Sequence, residues 1–244
     1  MLDAALSILY LPTCAACDAR VARGEPLCPP CAGTLEPIGA ACPRCAEPLA
    51  GPTSLVCARC RRRPLPVDGL SAPWRYGGEL GHALRRLKFD DRPDIARTLA
   101  PLLAPFLSAV VATAGIDAVV PIPLHWRRLA RRGFNQAEVL VDRAWHACRA
   151  LGAPPTAPVE PYLLRRVRAT APQVGLDAAA RTANLARAFA VPPRRAARIA
   201  GRRVLLVDDV VTTGATMAAA ARALRAAGAA AVFGFAAARA EGAV

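Results

Sequence analysis

The chain has 244 residues, 54% hydrophobic and 20% charged, enough apolar material for a buried core, which excludes wholesale disorder, collagen-like repeats and a pure coiled coil. Its 32 basic residues outnumber 18 acidic ones, for a net charge of +14, and Lys88 is the sole lysine. Sixteen arginines against four acids between Leu124 and Arg203 carry +12 of that charge, a concentration that suits a polyanionic partner such as nucleotide phosphates, a nucleic acid, or both.

The N-terminal segment Met1–Pro12 is apolar but short. It carries Asp3 where a signal peptide has a basic flank and shows no small-x-small cleavage pattern, so it does not read as an export signal. Four Cys-x-x-Cys pairs follow: Cys14/Cys17, Cys28/Cys31, Cys42/Cys45 and Cys57/Cys60. Each pair on a tight turn points two thiolates at one ion, and two such turns complete a tetrahedral four-sulfur site. Eight sulfurs therefore imply two structural zinc ions. A disulfide framework would need an oxidising compartment, and redox Cys-x-x-Cys motifs do not come in fours. Consecutive pairing of the turns is favoured, with interleaved pairing (first with third, second with fourth) as the alternative. Arg61–Pro66 reads as a linker, giving a zinc module at residues 1–63 and a second domain at 68–244.

Beyond the linker, strand and helix patterns alternate. Leu70–Tyr76 reads as a strand, and Glu79–Lys88 and Ile95–Ala112 as helices. The uncharged run Thr98–Ile116 approaches the length of a membrane span. Pro101, Pro105 and Gly115 interrupt it and alanine dominates it, so it reads as a buried helix leading into the strand Asp117–Pro121. The expectation is a cytoplasmic protein without membrane insertion. Gln136–Leu151 has helical apolar spacing, with Cys148 on the apolar face. Val204–Val207 is an apolar strand, Ala215–Ala227 a helix closed by Gly228, and Ala231–Ala236 another buried strand. Such alternation predicts an α/β fold with a mostly parallel sheet.

The segment Val204–Thr216 carries the most chemistry. An apolar strand delivers Asp208 and Asp209, then a Thr/Gly-rich turn opens a helix. Amides at the helix start, with the Thr212, Thr213 and Thr216 hydroxyls, form an anion cradle. Gly214 allows close backbone approach. The paired carboxylates suit sugar hydroxyls better than phosphate. Upstream, Arg127, Arg128, Arg131 and Arg132 beside Gly133 offer bidentate donors of the kind pyrophosphate needs.

All thirteen positions of Val204–Thr216 resemble the phosphoribosyl-pyrophosphate (PRPP) signature of type I phosphoribosyltransferases. The run Val119–His125 with Arg127–Gln136, the later Pro172–Leu176 with Arg181, Asn184 and Ala188-Phe189, and the four cysteine pairs resemble the ComF family over essentially the whole chain. That resemblance implies a double zinc ribbon joined to a type I phosphoribosyltransferase-like domain, with a mostly parallel sheet flanked by helices and a role in DNA uptake during natural transformation. It implies that Asp208 and Asp209 hold the ribose hydroxyls, directly or through Mg²⁺. It also implies that Thr212, Thr213, Gly214, Ala215 and Thr216 hold the 5′-phosphate. Pyrophosphate and hood contacts fall to Arg128, Arg131, Arg132, Gly133, Asn135, Gln136 and Arg181, within a turn at Leu124–Gln136 and a hood at Arg165–Asn184.

Two functions from different classes fit these residues. One is a PRPP-binding protein of the DNA-uptake machinery that also contacts single-stranded DNA, with Trp74, Tyr76 and Phe134 as candidate stacking residues. The other is a Mg²⁺-dependent transferase moving the 5-phosphoribosyl group from PRPP to an acceptor that the residues do not name.

Overall fold

In the computed structural model, which describes residues 12–51, 55–168 and 187–240, the cysteines shape the chain before any sheet begins. Their sulfurs fall into two sets, Cys14/Cys17/Cys28/Cys31 and Cys42/Cys45/Cys57/Cys60, each within 4.8 Å of one another. The Cys17–Cys28 and Cys45–Cys57 sulfurs are 3.6 Å apart, close to the ~3.8 Å between ligands of a tetrahedral ion bound at ~2.3 Å. The pairing is therefore consecutive. In the second set, the Cys57 amide donates to Cys42 Sγ and the Cys60 amide to Cys57 Sγ, both at 3.4 Å. Burial alone would raise the Cys14 and Cys42 thiols, but backbone amides, led by those of Cys28 and Cys57, outweigh it and bring both to about 7. Each set thus offers a thiolate near neutral pH, where an entering ion can deprotonate the rest. The two four-sulfur sites support two structural zinc ions. Two one-turn helices, α1 (Pro29–Ala32) and α2 (Ala58–Arg62), carry Cys31 and Cys60.

Among the described residues, the remaining α-helices and strands are β1 (Gly69–Ser71), β2 (Trp74–Arg75), α3 (Gly78–Phe89), α4 (Asp94–Thr113), β3 (Ala118–Pro121), α5 (Trp126–Arg132), α6 (Gln136–Ala150), β4 (Arg165–Arg166), β5 (Phe189–Ala190), β6 (Arg203–Val211), α7 (Ala215–Ala226) and β7 (Ala231–Arg239), with a 3-10 helix at Pro193–Arg198. The main sheet is wholly parallel, in the order β1–β7–β6–β3, with β2 also on β7. Alternation along β6 sends Val204 and Leu206 to the α7 side and Leu205 and Val207 to the side of α4 and α6. A sheet buried on both faces reads as a continuous apolar run, as β3 and β6 do. β4 and β5 form a separate antiparallel pair, and much of the expected hood, residues 169–186, lies outside the described residues.

Three expectations change. The strand expected at Leu70–Tyr76 is two pieces, because Pro73 cannot donate to a ladder; its carbonyl instead accepts from Ile38 at 2.8 Å. The turn at Leu124–Gln136 contains a helix, α5, ended by Gly133 in the left-handed conformation (φ 79°). The strand ending at Val207 runs on through both aspartates to Val211. Helix α4 is long and apolar enough to cross a membrane, yet Ile95, Leu99, Leu103 and Leu107 are buried against the rest of the fold. Pro101 and Pro105 lie on its exposed side, where the carbonyls they leave unpaired reach water.

The cysteine module is built onto the sheet. The Arg75 amide donates to Glu36 O at 2.8 Å and the Leu70 amide to Pro43 O at 3.0 Å, so residues 36–43 line the outer edge of β1 and β2. At the opposite edge, the Val119 amide donates to Pro158 O and the Glu160 amide to Val119 O.

Elemental analysis of purified protein is expected to find two zinc ions per chain. Cys14→Ser and Cys28→Ser should each lose the same ion and Cys42→Ser the other, with loss of order in the affected half of the module, since zinc binding contributes on the order of 10 kcal/mol of folding energy. If Cys14→Ser and Cys28→Ser emptied different sites, the consecutive pairing would be wrong.

Candidate phosphate-binding site

Because the sheet is parallel, the carboxyl ends of its strands open at one place, where ligands of such sheets bind. A cavity of about 820 Å³ lies there. Asp208, Asp209, Thr212, Gly214, Ala215 and Thr216 line one side of it, and Arg127, Arg128, Arg131, Arg132 and Gln136 another.

The turn between β6 and α7 follows from its residues. Thr213 is buried, and its Oγ1 accepts from the Ala215 amide at 3.3 Å. It is therefore spent on the helix start and is absent from the cavity wall. Gly214 adopts φ 78°, a left-handed conformation that favours glycine. A Cβ there would meet Leu65 Cδ1 at 2.7 Å. The missing side chain thus makes room for the linker as well as for a ligand. The first-turn amides of α7 have no intrahelical acceptor and form the positive end of a three-turn helix.

The arginine side is ordered by short-range contacts. Asn135 is buried; its Nδ2 donates to Ile122 O at 3.1 Å and its Oδ1 accepts from the Ala137 amide at 3.2 Å. It ties the start of α6 to the exit of β3, and with Gly133 it shapes the wall without lining it. His125 is buried, and its Nδ1 accepts from the Arg127 amide at the start of α5, a structural role. Arg132 Nη1 donates to Gln136 Oε1 at 2.6 Å, and Gln136 is among the groups that favour the Asp209 charge. Arg166, from β4, joins the cavity wall; burial, with Arg128 nearby, lowers its guanidinium to about 10. Burial lowers Arg132 too, with Arg128 and Arg131 adding to it and Asp209 opposing. Cations that depress one another around a cavity are satisfied by a bound anion. Arg181 lies outside the described residues.

Lys88, at the end of α3, was not anticipated from the sequence as a site residue. Its Nζ lies 2.6 Å from Asp209 Oδ2, and both residues line the cavity. Burial works against its charge, but Asp209 and then Asp208 outweigh that and raise it. Burial likewise pushes Asp209 up, yet Lys88 more than offsets it, so Asp209 is held ionised. Asp208 goes the other way: burial first, then the charge of Asp209, raise it well above the carboxylate range. The pair therefore divides its roles, one carboxylate held by an ammonium and one prone to protonation. The signal for Lys88 was compositional, a single amine in a chain otherwise supplied with arginine.

Residues 5–61 match the double zinc ribbon domain family model, and residues 151–242 match the phosphoribosyl transferase domain. The chain is 37% identical over 211 residues to DNA utilization protein YhgH of Salmonella typhimurium, covering 84% of this chain and 87% of that one. It is 35% identical over 225 residues to DNA utilization protein YhgH of Escherichia coli K12, covering 90% and 93% respectively. Competence protein F of Haemophilus influenzae is 34% identical over 164 residues, 66% of this chain and 68% of that one. With two four-cysteine sites ahead of a parallel sheet whose strand ends open on an arginine-lined cavity, the chain belongs to the ComF family, a double zinc ribbon joined to a phosphoribosyltransferase domain.

Proposed function

We propose that this chain binds PRPP in the cavity at the strand ends and acts in DNA uptake, contacting single-stranded DNA through the basic surface beside that cavity, in the cytoplasm. The observation that carries the reading is the convergence of three chemistries on one cavity. Paired carboxylates suit ribose hydroxyls, a helix start with threonines suits a 5′-phosphate, and four arginines with Gln136 suit pyrophosphate. The names of the relatives, DNA utilization protein and competence protein, support the DNA role.

The site also fits Mg²⁺. Asp208 and Asp209 supply hard oxygen donors on the cavity wall, and the ion would neutralise pyrophosphate charge when bound. Around it, the chain's own groups would act by position: Arg128, Arg131 and Arg132 toward the leaving anion, and Gln136 holding Arg132. The second reading, a transferase releasing pyrophosphate, draws on Arg166. Arg166, a β4 residue within the range expected for the hood, lies in the cavity wall.

For DNA, exposed aromatics matter more than total charge. Trp74, Tyr76 and Phe134 are half-buried against the cluster around α3 and α4, and Tyr76 lines the cavity, so other rings offer more open surface. Phe89, Trp126 and Tyr162 are exposed, 64–70% of their surface open, and each has a guanidinium over its ring: Arg132 at 5.7 Å, Arg127 at 5.3 Å and Arg195 at 5.6 Å. Ring faces interleaved with arginines suit a sequence-tolerant single strand. His125 is bridged to Arg166, which links the Trp126 end of this surface to the segment carrying Tyr162.

Calorimetric titration is expected to show PRPP binding that needs Mg²⁺. The double variant Asp208→Asn/Asp209→Asn should weaken it by about 1.5–3 kcal/mol per lost charge-assisted contact, with the fold retained but the thermal midpoint lowered, because Lys88 loses its buried partner. Unchanged affinity would remove the ribose role.

Arg194 and Arg195 lie outside the cavity wall. Replacing both by alanine should reduce the slope of log K for single-stranded DNA against log salt by about 0.7 per lost phosphate contact, with PRPP affinity unchanged. Loss of PRPP binding instead would place these residues in the pocket.

A further inference from the structure

Three contacts from the second cysteine site converge on the phosphate turn. Arg59, on the single turn of α2 between Cys57 and Cys60, donates from Nη1 to Thr213 O at 3.3 Å. Leu65 fills the space where Gly214 lacks a side chain. Glu47, two residues after Cys45, pairs with the buried Arg239, whose Nη1 donates to Val211 O at 3.4 Å. The first cysteine site braces a different element. Carbonyls of Ala15 and Ala16 accept from Arg86 of α3, and Asp18 pairs with the same guanidinium.

We propose that Arg59 is a positioning residue through which the second metal site holds the phosphate turn, so that occupancy of Cys42/Cys45/Cys57/Cys60 sets phosphate affinity while the first site governs α3. The inference rests on reading the turn as phosphate-binding. Its physical basis is the length of α2. Five residues do not hold a helix in water without tertiary support, and two of the four sulfurs of the second site flank Arg59. An ion across those sulfurs fixes the guanidinium relative to the sheet; without it the donor to Thr213 O and the Leu65 wedge lose their anchor.

The test uses the full chain with two readouts, hydrogen–deuterium exchange over residues 212–216 without ligand, and ribose 5-phosphate affinity by calorimetry. Arg59→Ala should keep both zinc ions, speed exchange in the turn and weaken ribose 5-phosphate about tenfold or more, the size of one lost charged-donor hydrogen bond. Arg59→Lys, which keeps a charge and a donor, should recover part of both effects. Cys60→Ser should release the second ion and reproduce the faster exchange, whereas Cys14→Ser should speed exchange in α3 ahead of the turn. Wild-type exchange in Arg59→Ala, or a turn disturbed equally by Cys14→Ser and Cys60→Ser, would overturn the proposal. If exchange responds as expected but the wild-type chain does not bind ribose 5-phosphate, the coupling stands and the phosphate reading falls.

Discussion

A parallel sheet leaves backbone donors and acceptors along its outer strands, and something must take them. Here the edge made by β1 and β2 is taken by residues 36–43, the stretch between the two cysteine sites. Those residues have little core of their own, so their shape depends on sulfur–metal bonds. The sheet edge therefore inherits its order from the cysteines. Ala46 and Val67 extend the dependence inward, since both belong to the buried cluster shared by β6 and α7. A metal module and a nucleotide-type sheet that look separable along the chain are one packed object where it matters.

Charge makes the second demand. The carboxylates near the end of β6 are drawn in from solvent, Asp209 buried and Asp208 half-buried, and such a carboxylate needs a partner or a proton. Lys88 meets the need for Asp209, and Asp208 is pushed toward its protonated form. On the facing side the arginines have the reverse problem, crowding one another at the mouth of the cavity. A ligand with hydroxyls at one end and several negative oxygens at the other would answer both, which is the physical reason for proposing a sugar phosphate. The positive charge runs from Arg127 in the cavity wall, stacked on Trp126, to Arg195 on Tyr162 outside it.

Much of this was legible in the residues. The four cysteine pairs show their number and spacing directly, and an apolar run followed by Asp208-Asp209 and a Thr/Gly turn is local chemistry that needs no tertiary information. What could not be read depends on contacts distant in sequence. Leu65 against Gly214 and Arg59 on Thr213 span about 150 residues, and no periodicity signals them. The helix α5 was hidden because its arginines looked like a loop, although Gly133 at its end is an ordinary helix stop. The break in the first strand was marked by Pro73, whose missing donor outweighs the strand propensity around it. Candidate stacking residues were chosen by type, but exposure is a tertiary property: Trp74 ends edge-on against Phe106, while Trp126 stays open.

The most direct measurement is a crystal structure of the zinc-loaded chain soaked with ribose 5-phosphate and Mg²⁺. The account predicts phosphate density against the amides of residues 212–216, with the ribose hydroxyls facing Asp208 and Asp209 and the arginines of α5 left for the pyrophosphate that this ligand lacks. Phosphate density confined to the α5 arginines, with the β6–α7 turn empty, would contradict it.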